Sequence, residues 1–254
     1  MLSNYGKYTY FDETLDREVV LYITSNCEDD AEVPLILMQD GQNLFSDEEA
    51  AYGRSWRLLS QIHDPEFPRC QVIGISNNQI GHGRLNEYSP FVCSDEFGIN
   101  AGFGLEVGGL GDHYLDWVVH QLIPELAQHF KFNSVYMGGS SMGGYISLVG
   151  ALSYPDIFDG VFCLSNAWWF AYDPLVERIR AFEGELPKIY LDTGTKESKN
   201  AKVRRYYRDL HDSITAELRQ KNHHYIRAEM IKKAVHNEEA WESRFSSILI
   251  DLLK

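Results

Sequence analysis

The chain has 254 residues, 44% of them apolar and 13% aromatic, and a formal charge of −14. It is long enough for one large α/β domain with a substantial core, and its negative excess argues against a nucleic-acid or anionic-lipid surface. No run approaches the ~18 apolar residues of a membrane helix, and MLSNYGKYTYF has no basic segment leading into an apolar one, so a cytoplasmic protein is expected.

In chain order, Lys7 to Phe11 and Arg17 to Thr24 predict two strands joined by a polar turn at Asp12-Glu13, an antiparallel pair at a sheet edge. VPLILMQDGQNLF follows, and its apolar run Leu35 to Met38 suits a central strand buried on both faces. Ser55 to Ile62 has helical spacing, broken by Pro65 and Pro68, and Gln71 to Ser76 is a further buried strand. Between Asn77 and Gly111 periodicity vanishes and glycine accumulates. A stretch of that length is usually functional, so 77–111 is expected to be a loop excursion of the single domain near an active site. Asp112 opens a helix in which Pro124 predicts a kink or break.

Val135 to Gly150, VYMGGSSMGGYISLVG, is the most informative stretch. A short β-branched and aromatic run enters a crowded turn and leaves as a helix, with G-x-S-x-G at Gly139, Ser141 and Gly143. This is the pattern of a nucleophile elbow, in which a serine at φ > 0 is pushed clear of the sheet and the flanking glycines avoid backbone clashes. Ser140 is expected to turn away into the sheet. Downstream, Gly160 to Ser165, Pro187 to Asp192 and His224 to Met230 predict strands. Asp173-Pro174, Lys199 to Asn222 and Glu238 to Leu253 predict helices, the middle one with a basic face. Strand and helix alternate as in a mostly parallel sheet covered on both faces.

A serine nucleophile needs a base and an orienting carboxylate, which follow it in the order acid then histidine. Of nine histidines, His236 in KKAVHNEEAW lies between the last strand and the last helix and fits best. LDTGTKES offers two acids, Asp192 within the strand and Glu197 three residues past Gly194. The oxyanion hole would use the Met142 N–H and one from QDGQN, with Gln42 the choice. Arg84, Glu87 and Tyr88 in RLNEYSP, with Trp168 and Trp169, are candidate pocket residues, since loops at the carboxyl ends of parallel strands converge there. The competing expectations are that Arg84 pairs with Glu87 and that the tryptophans are core. No H-E-x-x-H occurs, His223 and His224 are adjacent and so diverge on a strand, and no metal or cofactor is expected. The four cysteines show no C-x-x-C, and Cys70 and Cys163 are expected as buried free thiols.

Taken in order, LMQDGQNLF, RLNEYSPF, GDHYLDWVVHQLIPELA, GGSSMGGYISL, YPDIFDGVFCLSNAWW, KIYLDTGTKE and HNEEAW resemble the putative esterase family of α/β-hydrolases over nearly the whole chain. That family includes esterase D-type, feruloyl and enterochelin esterases and the mycolyltransferases. The resemblance implies an α/β-hydrolase fold and a Ser141–Glu197–His236 triad, with an oxyanion donor at Gln42. It further implies cleavage of a small-molecule carboxylic ester. An acyltransferase on the same triad and an inactive binding module are the alternatives.

Overall fold

In a computed structural model, residues 5–28, 31–93, 106–221 and 225–254 are described. Eight strands form one sheet: β1 (Gly6–Asp12), β2 (Arg17–Ser25), β3 (Val33–Gln39), β4 (Gln71–Ile75), β5 (Phe132–Ser140), β6 (Gly160–Leu164), β7 (Lys188–Lys196) and β8 (Ile226–Val235). Their order is β1-β2-β4-β3-β5-β6-β7-β8. The pairings of β1 with β2 and of β2 with β4 are antiparallel, and the rest are parallel. The sheet is therefore the mostly parallel one expected, with its antiparallel pair at the edge.

Helices cover both faces. Leu58–Ile62 (α1) and Glu238–Leu252 (α8) lie on one side. On the other are α3 (Gly111–Trp117), α4 (Ile123–His129), α5 (Met142–Ser153), α6 (Tyr172–Ala181) and α7 (Ala201–Arg219). The period of two along β3 separates the two cores: Leu35 and Leu37 join the larger cluster, while Ile36 and Met38 join the smaller one with Phe245 and Ile248. That two-sided burial is why β3, β4 and β6 are apolar runs rather than alternating ones.

Local irregularities follow from residue chemistry. Pro34 has no N–H to donate, and the β3–β5 register shifts between Val33 and Leu35. Before Pro124, α3 passes into a π-helical turn (Val118–Leu122), and the Ile123 N–H bonds to the Val118 carbonyl five residues back. The break expected at Pro124 is this widened turn. Tyr154-Pro155 ends α5 as expected. The helix expected from Ser55 starts only at Leu58, because Arg57 adopts φ 47.

Of 77–111, residues 94–105 lie outside the described residues, as do His223 and His224. The described part contains α2 (Gly83–Glu87) and a bridge between Val92 and Gly108. Among the described residues no helix is long and apolar enough to cross a membrane. Cys70 and Cys163 are buried free thiols, Cys93 is also buried, and Cys27 is half-buried.

Candidate active site

Ser141 sits at the junction of β5 and α5 with φ 56 and ψ −120, a conformation that costs a non-glycine residue strain. Its neighbours explain the glycines. A Cβ on Gly139 or on Gly143 would come within 2.9 Å of the Gln39 Cβ, so both chain segments cross β3 at a distance only glycine permits. Met142 opens α5, and its N–H, as the first in the helix, has no partner within its own turn.

Just past the end of the neighbouring strand β3, Asp40 takes a left-handed φ of 58 and leads into a 3₁₀ turn over Gly41–Asn43. That turn carries Gln42, which is buried and whose Oε1 accepts from the Asn77 N–H at 3.3 Å. Arg84 holds Asp40 with two 2.7 Å bonds from Nε and Nη2. The turn is further fixed by the Tyr88 hydroxyl, which accepts the Asp40 N–H at 3.1 Å.

The carboxyl ends of β7 and β8 bring an acid and a histidine together. Lys196 and Val235 are register partners, so the next residues, Glu197 and His236, leave the sheet side by side. His236 Nδ1 lies 2.7 Å from Glu197 Oε2, and the Glu197 side chain is fully buried. Glu197 Oε1 accepts the Gly194 N–H. A Cβ on Gly194 would lie 2.4 Å from the Ala234 carbonyl and 2.8 Å from Glu197 Oε1, so this fold-back requires glycine. Burial pushes the Glu197 pKa up, but the His236 hydrogen bond and charge and the Gly194 N–H outweigh it. The carboxyl ends below its ordinary value. Edge-on contacts from Tyr207 at 5.8 Å and Trp241 at 5.1 Å flank the imidazole.

Asp192 faces elsewhere. It is fully buried, takes bonds of 2.6 and 2.9 Å from Arg244 on α8, and accepts the Ser165 N–H at 2.9 Å and the Tyr190 hydroxyl at 2.9 Å. Ser165 in turn accepts from Trp241 Nε1 at 2.9 Å. Among the described residues, the hydrogen bonds of Asp192 thus go to Arg244, Ser165 and Tyr190.

A cavity of about 470 Å³ is bordered by Ser141 and His236 together with Asp40, Arg84, Glu238 and Trp241. Ser140, expected to turn away, is buried at the end of β5 and also borders the cavity. Among the other candidate pocket residues only Arg84 is in its described lining. Glu87 is buried and bonds Arg17 at 2.7 and 2.9 Å instead of Arg84. Tyr88 is fully buried beneath Arg84, whose guanidinium lies 5.0 Å above its ring. Trp168 packs on Tyr145 in the core, and Trp169 Nε1 donates to the Tyr207 hydroxyl at 2.9 Å, which is the core alternative. Among the described residues no group of His, Cys, Asp and Glu is arranged to hold a metal.

Comparison with known proteins decides the family, because the family described as putative esterase matches residues 13–252. The chain belongs to the putative esterase family. Its curated relatives include the uncharacterised protein YbbA of Bacillus subtilis (strain 168), 27% identical over 192 residues, which are 72% of this chain and 70% of YbbA. Among solved structures, the siderophore hydrolase EstB of Aspergillus nidulans superposes with TM-score 0.73 at 16% identity, covering 99% of this chain and 96% of EstB. The BES protein of Bacillus cereus gives 0.73 at 16% identity, over 100% and 97%. The enterobactin esterase FES of Shigella flexneri gives 0.69 at 17% identity over 98% of this chain, which spans 59% of the Shigella protein. The fold is that of the α/β-hydrolase-type esterases, as expected for a putative esterase.

The sequence offered little warning of three supporting residues. Trp241, five positions after His236 and closing the first turn of α8, was legible only as part of HNEEAW. Tyr207 comes from the polar-looking helix α7, and Arg17 from the start of β2, 70 residues from its partner.

Proposed function

We propose that the protein hydrolyses small carboxylic esters through Ser141, His236 and Glu197, with the Met142 and Gln42 N–H groups as oxyanion donors. The observation that carries this reading is the strained Ser141 at a helix N-terminus, sharing one cavity with a histidine that a buried carboxylate holds at 2.7 Å. His236 takes the Ser141 proton through Nε2 as Oγ attacks the ester carbonyl. The tetrahedral oxyanion is met by backbone N–H groups that need no reorganisation. The imidazolium then gives its proton to the departing alcohol, and water, activated by the same imidazole, releases the acid from Ser141. Glu197 holds the Nδ1–H tautomer and stabilises the imidazolium. Arg84 fixes Asp40 and thereby the turn that carries Gln42. Enterobactin, named for the Shigella neighbour, and the siderophores named for EstB are one class to test among esters of graded acyl length.

The test is active-site labelling. A fluorophosphonate probe followed by peptide mass spectrometry should modify Ser141 alone, and prior denaturation or His236→Ala should suppress labelling. Modification of another serine, or none under conditions that label a control esterase, refutes the assignment.

A further inference from the structure

The cavity that Ser141 and His236 share has an uneven charge balance. Asp40 and Arg84 both border it, but their bidentate pair occupies the guanidinium fork and cancels their charges. Arg84 is therefore poorly placed to receive a substrate carboxylate.

Glu238, the first residue of α8, borders the same cavity and is only 4% exposed. Among the described residues, no other residue's donor bonds to its carboxylate, which meets only its own backbone N–H. Burial, the largest influence, lifts its pKa above the ordinary carboxylate value. The fields of His236 and Arg84 act the other way, and Asp40 adds to the rise. Its place at a helix N-terminus offsets part of the desolvation cost, but a buried carboxylate without a counter-ion remains unfavourable. With Asp40 paired to Arg84, Glu238 is the acidic side chain of the described cavity lining that no ion pair holds.

We propose that Glu238 is a specificity determinant, receiving an ammonium or other cationic group carried by the acyl or alcohol part of the ester and disfavouring anionic esters. The inference rests on the esterase reading above and adds the substrate's charge class. It fits the geometry because Glu238 borders the same cavity as Ser141 and His236, so a group it holds occupies the space those two residues share.

Three p-nitrophenyl esters of matched chain length test it: β-aminopropionyl (ammonium), butyryl (neutral) and hemisuccinyl (carboxylate). Each is measured as kcat/KM on wild type and Glu238→Gln after subtraction of spontaneous hydrolysis. Wild type should prefer the ammonium over the carboxylate ester by roughly tenfold or more, a size consistent with a close charge contact. Glu238→Gln should bring that ratio to within about threefold of unity, with thermal unfolding of the variant confirming that it is folded. Turnover of the butyryl ester by wild type without a preference between the charged esters overturns the inference and leaves the esterase reading intact, whatever the variant does. An unchanged preference in folded Glu238→Gln also overturns it. Failure of wild type to cleave even the butyryl ester overturns the esterase reading, and this inference with it.

Discussion

Replacing Glu197 by glutamine preserves volume and removes one charge, and the structure says what that does at each oxygen. Oε2 accepts from His236 Nδ1 and Oε1 accepts from the Gly194 N–H, so the site demands two acceptors. A glutamine has one. With its oxygen toward His236, its NH₂ faces the Gly194 N–H, donor against donor. Flipped, its NH₂ faces the imidazole and forces Nδ1 to accept, which puts the ring proton on Nε2 and leaves nothing there to take the Ser141 proton. Either way the imidazolium loses a carboxylate at 2.7 Å whose side chain is wholly out of solvent. Loss of the orienting carboxylate in serine hydrolases costs roughly 10⁴-fold in kcat, equivalent to about 5 kcal/mol of transition-state stabilisation. Steady-state hydrolysis of p-nitrophenyl butyrate should therefore show kcat reduced on that order with KM little changed. Asp192→Asn is the control. It strips the charge opposite buried Arg244, and breaking such a pair costs about 3–5 kcal/mol of stability, a fall in Tm of roughly 6–20 °C for a chain of this size. Its kcat at a temperature where the variant is folded should stay within about tenfold of wild type. A Glu197→Gln enzyme retaining more than a tenth of wild-type kcat, or an Asp192→Asn enzyme with normal Tm and collapsed kcat, would refute the reasoning.

Ser141→Ala should leave only the residual rate that an oxyanion hole and binding supply, roughly 10³-fold over water, whereas Ser140→Ala should keep most activity; the reverse result would shift the elbow by one residue. Because protonated His236 cannot take the serine proton, kcat/KM should fall on acidification, and the residual activity of His236→Ala should lack that limb. Glu197, held below the ordinary carboxylate value, stays ionised through that range and contributes no limb of its own. His211 is buried, its Nδ1 is without a hydrogen-bond partner, and burial keeps its pKa below the ordinary imidazole value. Below pH ~6.5 the unfolded chain then binds a proton that the folded one refuses, so stability drops by up to about 1.4 kcal/mol per pH unit until the folded value is reached. Urea unfolding of His211→Asn should show that slope reduced, and an unchanged slope would exclude His211 as its source. Trp168→Ala should cost about 3–5 kcal/mol of stability by leaving a core cavity, and a changed acyl preference at undiminished stability would return Trp168 to the pocket.

The parts of this molecule that were legible in its sequence are those dictated by neighbouring residues. The apolar run Leu35 to Met38 suits a strand buried on both faces and lies in one, and Gly160 to Ser165, read as a strand, forms β6 over Gly160–Leu164. The elbow announced itself because three requirements fall within five residues: a strand entry, a serine in a left-handed turn, and glycines where Gln39 crosses. Pocket residues were harder, since lining a cavity depends on which side of a short element a residue takes. Arg84 to Glu87 lie in α2, so Arg84 reaches the cavity while Glu87 turns inward to Arg17, and Tyr88, just past the helix, goes beneath Arg84. Nothing local distinguishes those orientations. The partners that decide them, Asp40 and Arg17, lie 44 and 70 residues away.

Glu197 and His236 show where local reading stops and register takes over. Strand β7 was expected to end at Asp192 and β8 at Met230, but they run on to Lys196 and Val235. Beyond Met230 the last strand is an exposed edge, IKKAV, where two lysines replace the apolar alternation that marks a half-buried strand. Its pairing is also irregular: the register shifts between Gly194 and Lys196, Lys233 takes φ 66, and the Lys233 N–H bonds to the Thr195 hydroxyl at 2.8 Å instead of to a ladder carbonyl. Each shift of one residue turns a side chain to the opposite face. The irregularity therefore matters: Asp192, inside the regular ladder, is committed to the face of Arg244, whereas Glu197, past the shift, is free to fold back over Gly194 toward His236. The hydrogen bond between Glu197 and His236 is in that sense a product of strand register. It depends on Lys196 and Val235 being partners, a long-range fact that no single stretch of the chain contains.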